Sequence, residues 1–180
     1  GGFVDRALEA FQEVLRLDPR NAYALAHLQR LHEEQHQWTE AQAVRQRLVA
    51  LGEPGDKGRN LRILAFIETE MGRDAVKRLD YPTAVARFES ALALDGRTVP
   101  AYLSLGDVHA VEGRLAAAAE VWEAVAQVAP ERAYLAFDRL ESVYGRLGAE
   151  RKFQDLCERL IDANPKDWRA HVALARHLQD

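Results

Sequence analysis

Apolar residues recur along this chain every three or four positions, which is the spacing of an amphipathic helix. Between 5 and 17, for example, they stand at 7, 8, 11, 14, 15 and 17, and such a stripe favours a helix over a strand. Proline and glycine separate the stretches, with the densest turn signal at 52–55. Thr39 is the predicted N-cap of the third helix. The pattern predicts ten helices and no strand, over 5–17, 22–35, 39–51, 58–78, 83–94, 99–112, 115–128, 132–146, 150–163 and 168–179.

One motif repeats along these helices. A small alanine is followed four residues later by an aromatic residue, then by an apolar pair and an acidic or proline stop. Ala84 and Ala118 begin two copies that lie 34 residues apart, and the same step separates Ala7 from Ala41. The step from Ala41 to Ala84 is 43 residues, and we interpret the additional nine as the enlargement of one repeat.

A 34-residue period with this content is typical of the tetratricopeptide repeat, a helix-turn-helix unit. The resemblance implies an all-α fold, a right-handed α-solenoid whose stacked helix pairs create an extended concave binding surface. We interpret residues 1–180 as one array and expect it to be part of a longer protein. The predicted divisions are a half repeat at 1–21, full repeats at 22–55, 56–98, 99–131 and 132–165, and a half repeat at 166–180.

Several residues of the repeat have a predicted packing role. Gly106 is expected to be the close-contact residue of its first helix, where a larger side chain would hold two helix axes apart. Phe88 and Trp122 are expected to fill the groove between successive repeats. Phe153 stands where the motif has alanine, which predicts a local rearrangement, and Cys157 is expected to be a small core residue.

Charge and composition exclude several classes of binding partner and of metal site. The chain has 24 basic and 28 acidic residues and a formal net charge of −4, which argues against a nucleic-acid or anionic-membrane binder. A single cysteine can form neither an internal disulfide nor a cysteine-based zinc cage. No apolar run approaches the roughly 18 residues of a membrane span. We therefore expect no nucleic-acid partner, no membrane span within the chain and a cytoplasmic location.

Residues with catalytic chemistry are scarce. The sequence has no glycine-rich phosphate loop, His-Glu-x-x-His motif or nucleophile elbow. His32 and His36 lie four residues apart beside Glu33, a spacing that suits a metal ion but equally an ordinary polar helix face, which we favour. We expect no catalytic residue, metal or cofactor, and hence a non-catalytic protein-interaction scaffold or adaptor. The alternative is an accessory domain of a larger enzyme or of a secretion or assembly complex.

The residues expected to bind a partner lie on the inner face of the first helix of each repeat. They form a mixed-charge groove that becomes more basic toward the C-terminal end. Guanidinium groups favour bidentate pairing with carboxylates, so we expect an acidic protein or peptide partner. Ala26 and Arg30 do not match the Lys/Asn clamp of chaperone-type repeats. The candidate residues are Arg30, Arg73, Lys77, Asp107, Asp138, Arg139, Arg146, Arg169 and Arg176.

Three stretches carry a closer resemblance. They are residues 62–108, which begin RILAFIETEMGRDAV, residues 130–148, PERAYLAFDRLESVYGRLG, and residues 157–178, CERLIDANPKDWRAHVALARHL. They resemble the repeat array of the lipopolysaccharide assembly protein B family (LapB, or YciM), and the similarity extends over about residues 22–180. Proteins of that family have an N-terminal membrane helix and a rubredoxin-like module with two Cys-x-x-Cys pairs. This sequence has neither, so only the array is represented.

The LapB resemblance implies a bacterial adaptor for lipopolysaccharide assembly that works in the cytoplasm at the inner-membrane face. Members of the family control lipopolysaccharide synthesis by promoting degradation of the deacetylase LpxC by a membrane protease. The resemblance assigns no binding residue to this chain.

Overall fold

A computed structural model describes residues 2–52 and 57–179 of the chain. These residues form ten α-helices, one 3₁₀ helix and no strand, and successive helices pack on one another along the chain. The predicted fold class, an all-α solenoid of stacked helix pairs, is confirmed. The α-helices are α1 (Gly2–Leu17), α2 (Ala22–Glu34), α3 (Trp38–Leu51), α4 (Lys57–Lys77), α5 (Tyr81–Leu94), α6 (Val99–Val111), α7 (Leu115–Val128), α8 (Phe137–Leu147), α9 (Arg151–Ala163) and α10 (Trp168–His177).

Two helices begin at residues other than those predicted, and side-chain capping accounts for the starts of α2 and α5. Asn21 caps α2 by accepting a hydrogen bond from the backbone N–H of Ala24 at 2.9 Å. Gln37, and not Thr39, is the N-cap residue of α3, so the predicted cap at Thr39 is wrong. Helix α5 begins before the predicted residue 83 because Asp80 caps it and Pro82 lies in its first turn, where a missing N–H costs nothing.

The segment 132–146 was predicted as one helix but is divided. A 3₁₀ helix, Pro130–Ala136, precedes α8. Proline restricts the start of this segment, and short 3₁₀ turns are frequent at helix N-termini. The predicted repeat boundary at 55/56 and most of the turn signal at 52–55 lie outside the described residues.

Two glycines set the distance between the paired helices of the third and fourth repeats. A Cβ atom on Gly72 would lie 2.6 Å from a ring carbon of Phe88, and one on Gly106 would overlap the indole of Trp122. The indole N–H of Trp122 donates to the carbonyl of Leu103 at 3.2 Å, on the same helix as Gly106. Each ring therefore sits on the glycine of its own repeat. The pairs Gly72/Phe88 and Gly106/Trp122 are related by the 34-residue step.

The same rings also contribute to packing between repeats, as predicted. Phe88 shares an apolar cluster with Ala101 and Leu105 of the next first helix, α6. Trp122 shares another cluster with Leu140 of α8. In the fifth repeat Phe153 is fully buried and meets the Phe137 ring edge-on, with ring centroids 5.9 Å apart.

The second repeat replaces the glycine–aromatic pair with polar residues. Gln29 and Arg45 occupy the registers of Gly72 and Phe88, and both are buried. The Arg45 guanidinium donates to the Gln29 side-chain oxygen at 3.4 Å. In the neighbouring helix α4, buried Glu68 accepts hydrogen bonds from Gln42 and, at 3.1 Å, from Arg87. The apolar core consists of four clusters, and polar contacts lie where the second repeat meets the third.

We expect the Gly106→Ala substitution to lower the free energy of unfolding by about 1–3 kcal/mol, because the new methyl group overlaps the Trp122 ring. Gly145→Ala is the matched control, since it changes a helical glycine with no atom within 4 Å of the added Cβ. That change should stabilise by about 0.5–1 kcal/mol. Urea denaturation of both variants measures the difference, and equal midpoints would contradict the packing described for Gly106.

Stability should also respond to protonation of His109. Its Nδ1 is buried without a hydrogen-bond partner in the described part of the chain, and burial, assisted by Arg114, lowers the pKa of His109 from 6.5. The unfolded chain therefore takes up this proton more readily, so the free energy of unfolding falls as pH drops below about 6.5. In His109→Gln this contribution is missing. Denaturant midpoints measured between pH 7.5 and pH 5 should fall more steeply for the native protein, and parallel curves would contradict the assignment.

Candidate partner-binding surface

The first helices of the repeats, α2, α4, α6, α8 and α10, form a row that carries all the predicted partner-binding residues. Direct side-chain contacts connect three of these helices: side chains of α8 reach α6, and side chains of α10 reach α8. We call this surface the first-helix row.

Asp107 and Arg139 form the first inter-repeat contact of the row. The Arg139 guanidinium donates from Nε and Nη2 to the two carboxylate oxygens of Asp107, at 2.7 and 3.0 Å. It also donates to the carbonyl of Leu135 at 3.2 Å. The hydrogen bonds to Asp107 raise the pKa of Arg139, so the arginine stays charged and is held in a bidentate geometry.

Arg176 makes the second contact, from α10 to α8. Its guanidinium lies 2.8 Å from the Asp138 carboxylate and 3.0 Å from that of Glu141. His177 adds a 3.1 Å contact from Nδ1 to Glu141. Asp138 and Glu141 together raise the pKa of Arg176. Four of the predicted residues are therefore paired within the array, Arg139 with Asp107 and Arg176 with Asp138. The positive charge of these two arginines, which was expected to face a partner, is neutralised by carboxylates of the chain itself.

The three N-terminal members of the predicted set are paired within their own helices. These pairs join neighbours three or four residues apart, which is a common and weak arrangement on exposed helices. The distances are 2.6 Å for Arg73–Glu70, 2.7 Å for Lys77–Asp74 and 3.9 Å for Arg30–Glu34.

Arg169 and Arg146 remain available. The Arg169 guanidinium carbon lies 4.5 Å from the Tyr134 ring centroid and 4.7 Å from that of Trp168, so two aromatic faces hold it by cation–π contact. Arg146 is exposed near the end of α8. Neither arginine forms an ion pair with any residue that the structure describes. These two side chains are the part of the row able to meet an acidic ligand.

The sequence analysis missed an apolar line along the row. Tyr23, Phe66 and Pro100 lie on the first helices α2, α4 and α6, and Leu135 lies in the 3₁₀ helix that leads into α8. These four residues recur at steps of 43, 34 and 35 residues. All are exposed, with 70% for Tyr23, 47% for Phe66 and 39% for Leu135. The period that located the repeats was therefore sufficient to find this line, had it been applied to outward-facing positions.

Grooves lie between successive members of the row. One pocket of about 170 Å³ opens between α4 and α6 and is lined by Arg73, Val76, Ser104, Asp107 and Val111, among others. A second pocket of about 220 Å³ lies between α8 and α10. Its lining is Tyr134, Phe137, Asp138, Trp168, Arg169, Val172, Ala173 and Arg176. The first-helix row therefore has pockets between α4 and α6 and between α8 and α10, and charged contacts between α6 and α8 and between α8 and α10.

The histidines considered as metal ligands have other contacts. His32 Nδ1 lies 2.7 Å from the Gln37 side-chain oxygen, and the His36 ring meets Trp38 edge-on. Across 2–52 and 57–179, no group of three or more His, Cys, Asp or Glu is arranged to hold a metal ion. In the same residues, no helix has the length and apolar character that crossing a bilayer requires.

Cys157 is buried, as predicted. Burial, with smaller effects of Glu141, Glu158 and Asp167, raises the pKa of the Cys157 thiol to about 12. The side chain is therefore a neutral packing group at physiological pH.

Comparisons with known proteins agree with the helical array. The family model described as tetratricopeptide repeat matches residues 69–139. One curated protein, the probable UDP-N-acetylglucosamine–peptide N-acetylglucosaminyltransferase SPINDLY of Hordeum vulgare, is 28% identical over 104 residues. That match covers 58% of this chain and 11% of the barley protein, so the chain spans about a tenth of that relative's length.

Two solved structures have the same fold. MamA has a TM-score of 0.57 and 20% identity, over 93% of this chain and 86% of that one. YrrB, described as a tetratricopeptide repeat protein with an unusual peptide-binding site, has a TM-score of 0.50 and 22% identity, over 96% of this chain and 84% of that one. Likeness at this level of identity concerns the fold alone.

The Asp107–Arg139 contact should couple two repeats energetically. In a double-mutant cycle of Asp107→Asn and Arg139→Gln, we expect a coupling energy of about 0.5–1 kcal/mol that decreases at high salt, because both groups are partly solvated. The exposed pair Arg16–Glu13 within α1 is the control and should give about 0.3–0.5 kcal/mol. A coupling energy of zero for Asp107 and Arg139 would show that the contact does not stabilise the array.

Proposed function

We propose that this tetratricopeptide repeat protein is a non-catalytic interaction scaffold that holds a segment of a partner protein along the first-helix row. The stacked repeats supply an extended surface, and such surfaces are what solenoid proteins use for binding. In this proposal any catalysis is performed by a bound partner or by a neighbouring domain.

The observation that supports this proposal most is the apolar line of Tyr23, Phe66, Pro100 and Leu135. Single exposed apolar residues are ordinary on protein surfaces, but here one recurs in three successive first helices and again in the 3₁₀ helix that leads into the fourth. A partner segment that follows the row would bury each of these side chains in turn. Burial of apolar area contributes about 25 cal/mol per Å², so the line can supply much of the binding free energy.

We propose that the partner segment also carries acidic side chains near the C-terminal end of the row. Arg169 and Arg146 are the candidate contacts, since Arg139 and Arg176 are paired within the array. Arg169 is already held between two rings, so little conformational entropy is lost when it binds a carboxylate. We propose neither a nucleic-acid ligand nor a cofactor for this surface, in keeping with the net charge of −4.

A photo-reactive amino acid placed at Ser104, which lines the groove between α4 and α6, should cross-link the partner in cells. The same group at Glu120, exposed on the second helix α7, is the control and should not. Cross-linking from Glu120 alone would place the binding face on the second helices and contradict the proposal.

The partner identified in this way can then be tested against the apolar line. We expect the double variant Phe66→Ser, Leu135→Ser to bind it at least about tenfold more weakly, which corresponds to about 1.4 kcal/mol. Val14→Ser with Val49→Ser removes apolar groups of similar exposure, 38% and 41%, from second helices, and should bind normally. Titration calorimetry measures both, and equal loss in the two variants would argue against the line.

The more specific role we propose is an adaptor of the LapB type, acting in a bacterial cytoplasm at the inner-membrane face in lipopolysaccharide assembly. The stretches at 62–108, 130–148 and 157–178 support it, above all the enlarged third repeat. The alternative, an accessory domain of a larger enzyme, is favoured by the similarity to a probable N-acetylglucosaminyltransferase.

Sequencing the parent gene separates the two: paired Cys-x-x-Cys motifs downstream support the adaptor, and a transferase domain supports the alternative.

A further inference from the structure

The enlarged third repeat changes the surface at the edge where one repeat connects to the next. Helix α4 has 21 residues, whereas α2 and α6 each have 13. Alignment on Gly72 and Gly106 places the additional residues at 57–64, before the register at which α6 begins. At 1.5 Å per residue, the helix extends about 12 Å further than its neighbours. The extension forms a ridge beside the connections between repeats.

Basic residues occur at one register of these connections. Arg20, Arg97 and Lys166 each stand two residues before a first helix. Their backbone N–H groups donate to the side chains of Asp18, Asp95 and Asn164, at 3.2, 3.1 and 3.3 Å. The same short turn thus presents a basic side chain at three junctions, and all three side chains are exposed.

A pocket joins the ridge to two of these connections. It has a volume of about 460 Å³ and is lined by Arg62 of the ridge, Asp95 and Arg97 of the next connection, and Ala129, Glu131 and Arg132 of the one after. The three arginines are spaced 35 residues apart, at 62, 97 and 132. A second pocket of about 460 Å³ on the other side of the ridge includes Arg20 and Arg59 in its lining. We call Arg20, Arg59, Arg62, Arg97 and Arg132 the arginine edge.

None of these five guanidinium groups forms an ion pair with a residue in the described ranges. The contrast with the first-helix row is clear, because Arg139 and Arg176 are held there by carboxylates. Asp95 and Glu131 offset only part of the charge, and the Asp95 carboxylate already accepts the Arg97 backbone N–H. Within 2–52 and 57–179, the arginine edge therefore has positive charge without an ion-pair partner, on a chain whose net charge is −4.

We propose that the arginine edge is a second interaction surface, separate from the first-helix row, which binds an acidic segment of a protein through its carboxylate side chains. Guanidinium groups suit bidentate binding of carboxylates. Their placement in two pockets on either side of a ridge suits side chains spaced along a peptide, whereas a flat bilayer cannot reach into both pockets. The acidic remainder of the chain opposes a nucleic acid, which needs many phosphates neutralised at once.

The test uses the purified chain and a fluorescein-labelled peptide in which glutamate alternates with serine. Fluorescence anisotropy at low salt should show binding of this peptide and no binding of a version with glutamine in place of glutamate. The variant Arg97→Glu, Arg132→Glu should bind at least about tenfold more weakly, or about 1.4 kcal/mol. Added salt should weaken binding to the native protein, because exposed charges are screened.

Two matched variants make the result specific. Arg78→Glu with Arg159→Glu reverses two other exposed arginines and should leave peptide binding unchanged. Phe66→Ser with Leu135→Ser alters the first-helix row and should also leave it unchanged, which separates this proposal from the proposed function. Circular dichroism of each variant confirms that the helices are intact.

Three results would overturn the proposal. The first is absence of binding of the glutamate peptide by the native chain at low salt. The second is equal binding by the native chain and by Arg97→Glu, Arg132→Glu. The third is tighter binding, dependent on the same arginines, of a single-stranded oligothymidine or of vesicles containing phosphatidylserine, which would assign the edge to a nucleic acid or a lipid surface instead.

Discussion

The contact between an aromatic ring and a glycine on the facing helix is the constraint on which the central repeats depend. Phe88 on Gly72 and Trp122 on Gly106 leave no room for a Cβ atom, so the paired helices approach as closely as two backbones and a ring allow. Because each ring also belongs to an apolar cluster that includes residues of the next first helix, one side chain contributes to packing both within and between repeats. The positions of Phe66 and Pro100, on the first helices of these two repeats, follow from that spacing.

The second repeat shows what happens where this contact is absent. Gln29 and Arg45 fill the same registers with hydrogen-bonding groups, and the neighbouring Glu68 is buried among Gln42 and Arg87. Such groups must all be satisfied at once, since a buried polar atom without a partner is costly. Packing at this junction therefore depends on the directions of hydrogen bonds, whereas packing in the central repeats depends on the steric fit of a ring against a glycine. The buried apolar residues around this junction belong to two separate clusters.

Periodicity predicted the fold well because it reports which positions are buried. The 34-residue step located the helix pairs, Gly106 and the buried Cys157 from sequence alone. Thr39 was misplaced as a cap because several polar residues near a helix start offer similar signals, and tertiary packing decides among them. The 3₁₀ helix before α8 depends on the geometry after Pro130, which a hydrophobic stripe does not encode. The pairing of Arg139 with Asp107 joins residues 32 positions apart on different helices, so no local pattern reveals it.

The ion pairs between repeats fix the order in which the repeats follow one another, which the helical period alone does not specify. Asp107 on α6 meets an arginine on α8, and Asp138 on α8 meets an arginine on α10, so the acidic group always lies on the earlier helix. The paired positions differ in register from one junction to the next. Repeats of this chain are therefore not interchangeable parts: exchanging the fourth and fifth would separate each arginine from its carboxylate. An engineered array with a different order of repeats would therefore need new residues at these charged positions, chosen so that each arginine again faces a carboxylate.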